Sequence, residues 1–121
     1  MKDFIILNTQ VHPPSPLNKV LVLNAKWSII IYGNYQDYTT EETRIIVIGD
    51  YIGSKEELLN TPENDIPKLR GNFYAIVFKG DSIKVYNSFF SMLPIYTSED
   101  TYMIASSISL ITENGTQDFS F

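Results

Sequence analysis

The apolar runs of this chain are short and show little alternation. Phe4–Leu7, Lys19–Leu23, Ser28–Tyr32 and Arg44–Ile48 read FIIL, KVLVL, SIIIY and RIIVI. They are rich in β-branched residues and closed by Asn or Gly, the pattern of brief β-strands. Leu69–Ile111 concentrates the same signal. Asn72–Lys79 is apolar on both faces, Gly80-Asp81 is a turn, and a more polar strand runs through Val85. A loop with Pro94 and two short strands split by Ser98–Asp100 complete a β meander. The whole predicts about eight strands and one or two short helices. One helix is marked by Ser54-Lys55-Glu56-Glu57 before Leu58-Leu59. In this capping box the Ser54 hydroxyl accepts from the Glu57 N–H and the Glu57 carboxylate returns to the Ser54 N–H. That helix cannot pass Pro62, and Ser106–Thr112 suggests one further helical turn.

The intervening segments are polar. Val11–Pro16 holds three prolines and reads as a rigid connector, while Asn34–Thr43 reads as a hairpin loop and Asn64–Lys68 as turn-rich. Strands such as Ser28–Tyr32 and Phe73–Phe78 have apolar residues on both faces, so both faces must be covered. A two-sheet sandwich covers only one face of each sheet. With so few helical residues, the other faces are expected to need a partner domain or a second copy.

Composition narrows the class. A chain of 121 residues with 44% hydrophobic and 19% charged residues is expected to form one globular domain. A net charge of −5 makes nucleic acid an unexpected partner. With no cysteine, disulfides, thiolate metal sites and a cysteine nucleophile are excluded. The opening Met1–Asn8 run is too short for a signal peptide, and no run approaches a membrane span. The expectation is a soluble, cytoplasmic domain without membrane contact.

Candidate chemistry is sparse. His12 is the only histidine and sits in the proline connector, which leaves a metal site without converging ligands. Glu41-Glu42, Glu56-Glu57 and the Glu63/Asp65 pair read as solvated surface rather than paired acid and base. Tyr32, Tyr35 and Tyr38, spaced by three around a polar loop, form a candidate recognition surface for a sugar or a peptide. There is no Gly-x-Ser-x-Gly elbow and no Gly-rich phosphate loop. Asn114-Gly115-Thr116 matches a glycosylation sequon, idle in a cytoplasmic protein. No cofactor or metal is expected.

From Arg44 onward the order of features resembles the N-terminal, class II glutamine amidotransferase domain of asparagine synthetase. The family pattern is a strand ending Asn-Gly-Glu-Ile-Tyr-Asn, a helix beginning Glu-Leu, then Leu-x-Gly-x-Phe-Ala. Arg-Asp-x-x-Gly-x-x-Pro-Leu-Tyr-Tyr and Phe-Ala-Ser-Glu follow. Here the matching stretches are Ile48-Gly49-Asp50-Tyr51, Glu57-Leu58 and Leu69–Ala75, then Asn87–Tyr96 and Ile104–Ser107. About half the chain is covered in this way. Before Arg44 the overlay is thin: Met1–Ile6 on Met-Cys-Gly-Ile-Ala-Gly, and Lys26–Ile30 on Arg-Leu-Ser-Ile-Ile. The resemblance implies an α+β, mostly β fold with two stacked antiparallel sheets and few short helices. That would be a reduced N-terminal-nucleophile hydrolase (αββα) fold spanning residues 1–121.

The departures fall on the chemistry. The family nucleophile, a cysteine freed by removal of Met, matches Lys2. Its oxyanion-hole Asn and Gly match Ile48 and Gly49, and Ile48 has no side-chain donor. The Arg-Gly-Pro-Asp segment that helps hold glutamine has no counterpart, and the segment bearing the acid that reads the glutamine amine is missing between Glu57 and Gly71. Arg-Asp has become Asn87-Ser88, and the following Gly is Ser91. The resemblance thus implies a domain without catalytic residues, a structural or recognition module of an ATP-dependent amide-forming system. Its expected partner is a C-terminal synthetase-like domain or separate subunit. The alternatives are a free-standing module that self-associates through open sheet faces and, less favoured, a hydrolase with another nucleophile.

Overall fold

A computed structural model describes residues 2–11, 20–88, 93–98 and 102–114. His12, most of the proline connector, Ser91 and the sequon beyond Asn114 lie outside the described residues. The chain divides into two compact units, Met1–Lys2 with Gly33–Pro94 and Asp3–Tyr32 with Ile95–Phe121. Each is built on one antiparallel sheet.

The first unit is a four-stranded meander in the order β4-β5-β6-β7. Its strands are β4 (Tyr35–Thr39), β5 (Thr43–Tyr51), β6 (Gly71–Lys79) and β7 (Ser82–Asn87). Between β5 and β6 lie helix α1 (Lys55–Asn60) and a 3-10 helix (Glu63–Lys68). The β5–β6 register joins Ile45 to Val77, Val47 to Ala75 and Gly49 to Phe73. Because side chains alternate across a strand, these residues share a face. Leu58 of α1 and Ile66 of the 3-10 helix close over that face, flanked by Leu59, Leu69, Tyr38, Tyr51 and Tyr86. The opposite face carries Ile46, Ile48, Tyr74 and Ile76, each no more than 2% exposed. The face bearing Ile45, Val47 and Phe73 is therefore covered by the chain's own short helices. Leu58, Leu59, Ile66 and Leu69 suffice for this, although each sits in a polar stretch with no strong helical period.

Three further expectations change in this unit. The Asn34–Thr43 loop contains a strand, β4, paired from Tyr35↔Ile48 to Thr39↔Arg44. Its sequence, YQDYT, lacks an apolar face, so pairing with β5 rather than its own pattern makes it a strand. β5 does not close at Gly49-Asp50 but runs on through Asp50↔Asn72 and Tyr51↔Gly71. Turn-rich Asn64–Lys68 is part of the 3-10 helix, with Pro67 inside it. α1 does stop before Pro62, with Thr61 as its C-cap. Half the capping box forms: Ser54 Oγ accepts from the Glu57 N–H at 3.0 Å. The other half is replaced, because Glu57 Oε1 accepts from the Tyr51 hydroxyl at 3.1 Å.

The second unit is a five-stranded sheet in the order β2-β3-β1-β9-β8. These are β1 (Lys2–Asn8), β2 (Val20–Val22), β3 (Trp27–Gly33), β8 (Tyr96–Thr97) and β9 (Met103–Ala105). Asn24 builds the β2–β3 turn, its Oδ1 accepting from the Lys26 and Trp27 N–H groups at 2.8 Å each. Ile5 and Leu7 of β1 face the same side as Ile30, Met103 and Ala105, and Leu110 of α2 (Ile108–Asn114) closes over them. Among the described residues the strands number nine, one more than the pattern predicts.

Both units extend a strand pair with a buried serine. Ser88 Oγ accepts from the Phe73 N–H at 3.1 Å while its own N–H donates to Phe73 O at 2.9 Å. Ser106 does the same with Phe4, at 3.0 and 3.1 Å. Each hydroxyl satisfies a buried backbone donor that would otherwise be costly.

Candidate functional site

Where β5 ends beside the start of β6, the backbone is unusual at two glycines. Gly71 has φ +133° and Gly49 φ +105°, conformations that residues with a Cβ rarely adopt. A Cβ on Gly71 would stand 2.1 Å from Asp50 O. A Cβ on Gly49 would stand 2.7 Å from Asn72 O and 2.9 Å from Lys2 Cδ. Two conclusions follow. The β5 and β6 backbones approach more closely here than a side chain permits, and the Lys2 side chain lies directly against Gly49. Its Nζ then reaches Asp50 Oδ2 at 3.8 Å.

A cleft of about 570 Å³ opens at this end of the sheet, lined by residues 34–36 and 49–52. Its walls present the Asn34 and Gln36 amides, the Asp50 carboxylate and the exposed apolar groups Tyr35 and Ile52, 42% and 60% accessible. The Asp50 side chain is 82% exposed. Tyr51 is occupied: its hydroxyl donates to Ser54 O and Glu57 Oε1 at 2.9 and 3.1 Å. Burial first, then the Glu57 contact, pushes its phenol up to about 12, so it stays protonated at neutral pH. Tyr51 also packs edge-on against Phe73.

The positions singled out in the sequence separate clearly. Lys2, Ile48 and Gly49 come together at the β5 end. Ile48 is fully buried, and the Gly49 N–H donates to Asn34 O at 3.2 Å. Neither therefore presents a free donor to the cleft. The three tyrosines do not form one surface. Tyr32 packs on the Ile5–Met103 cluster of the five-stranded unit. Tyr38 packs on the helix-covered face of the other sheet, with Lys55 Nζ 5.8 Å from its ring centroid and its hydroxyl donating to Gln36. Tyr35, three residues earlier on the same strand, faces the opposite side and lines the cleft.

Of the carboxylate pairs, Glu41 and Glu42 are exposed. Glu63 is instead the centre of a cluster that sequence spacing does not reveal. It accepts from the Tyr86 hydroxyl, with Lys84 Nζ at 3.3 Å and Lys79 Nζ at 3.8 Å. The Tyr86 contact leads in holding its carboxyl below the usual range, against burial and with help from Lys84 and Lys79. Tyr86 is pushed up to about 12 by burial and by Glu63. Asp65 pairs with Lys68 at 3.3 Å on the surface. Among the described residues no group of three or more His, Cys, Asp or Glu side chains is placed to hold a metal, and no helix is long and apolar enough to cross a membrane.

What the cleft offers chemically is binding: one exposed carboxylate, two amides and an aromatic ring. Asn34 and Ile52 were not marked by any motif; the resemblance at Ile48-Gly49-Asp50-Tyr51 and the strand-closing pattern at Gly49-Asp50 pointed to this end of β5. No protein-family model, curated protein or solved structure matches this chain.

Proposed function

We propose that this chain is a catalytically inactive glutamine amidotransferase-like domain, a structural or recognition module of an asparagine-synthetase-like, ATP-dependent amide-forming system. One observation carries the reading. Lys2 and Gly49, distant in sequence and aligned by the resemblance with the nucleophile and the oxyanion hole, are adjacent in space. The juxtaposition that the family needs for chemistry is kept, and the groups that would perform it are replaced. Lys2 fills the space over Gly49 and ion-pairs with Asp50, while the Gly49 N–H is taken by Asn34 O. The reduced αββα fold, with its two sheets stacked, belongs to the same proposal. The strand order within each sheet and the thin helical cover are compatible with it.

The test is direct. Ammonia release from glutamine by the purified chain is expected at buffer background, and release above background overturns the inactive reading. The reading frame carrying this chain, or a neighbouring one, is expected to encode a Ser-Gly-Gly-x-Asp-Ser pyrophosphate loop; its absence from both overturns the module.

A further inference from the structure

We draw no further inference here: the strongest candidate, the cleft at the β4–β5 end lined by Tyr35, Gln36 and Asp50, belongs to the site already described, and nothing in the structure shows what fills it, since Tyr35 and Gln36 alternate to opposite faces of β4 and Lys2 already stands beside the Asp50 carboxylate.

Discussion

The two ends of the four-stranded sheet use the same kinds of residue to opposite effect. At one end Glu63 accepts from Tyr86 and faces Lys84 and Lys79, fastening the 3-10 helix to β6 and β7. At the other, Asp50 lies 3.8 Å from Lys2 Nζ and its side chain is 82% exposed. The first carboxylate is saturated by its own fold. The second is left facing a cleft. Internal satisfaction separates a fastening from a binding surface here, since a charge already answered at close range has little left for a partner.

The strongest way to break the comparison is at the glycines that shape the open end. Gly71→Ala places a Cβ 2.1 Å from Asp50 O in a backbone at φ +133°. It is expected to cost about 3 kcal/mol or more in urea unfolding, because neither strand backbone can give way cheaply. Gly49→Ala, at φ +105°, should cost about 1–3 kcal/mol. Part of that cost is contact with the flexible Lys2 stem. The same substitution in a Lys2→Ala background should be milder by about 0.5 kcal/mol or more. Strict additivity would mean that Lys2 does not lie over Gly49.

At the saturated end, Tyr86→Phe removes the hydroxyl that leads in stabilising the Glu63 carboxylate. A loss of about 1 kcal/mol is expected, moderated because Lys84 and Lys79 remain. The pH response has a definite sign. Glu63 is depressed in the fold, so its contribution is present above its unfolded value of 4.5 and is lost as pH falls through the folded value. Glu63→Gln should flatten that part of the acid-stability profile. Tyr51 and Tyr86 are raised, so theirs is present below an unfolded value of 10 and lost as pH rises toward about 12. A profile with no loss between those values would contradict the hydrogen bonds these phenols make. The smallest effect is Lys2→Met, expected to change stability by less than about 0.5 kcal/mol because its ion pair is long and exposed. A larger loss would make Lys2 a fastening like Glu63 and remove the contrast.

Much of the fold was legible in the chain. Phe4–Leu7, Ser28–Tyr32, Arg44–Ile48 and Asn72–Lys79 are short, apolar, rich in β-branched and aromatic residues and bounded by turn residues, and each lies in a strand. The Ser54 cap and Pro62 bounded α1 by local backbone chemistry alone. β4 was not legible, because an exposed edge strand has no apolar face and takes its conformation from its neighbour. The Glu63–Tyr86 bond was not legible either, since 23 positions separate residues with no shared motif. Of the candidate site, the Lys2, Ile48, Gly49 and Asp50 positions were marked by the resemblance, while their company of Asn34 and Ile52 was not.

Sequence alone determined that the chain is a set of short apolar strands with little helix, and that no cysteine chemistry is present. These are properties of composition and local pattern. Tertiary structure decided which strands pair, which carboxylate is answered and which is exposed, and that Lys2 meets Gly49. These depend on contacts between residues far apart in the chain, brought together by strand register and by two glycine conformations that let backbones approach.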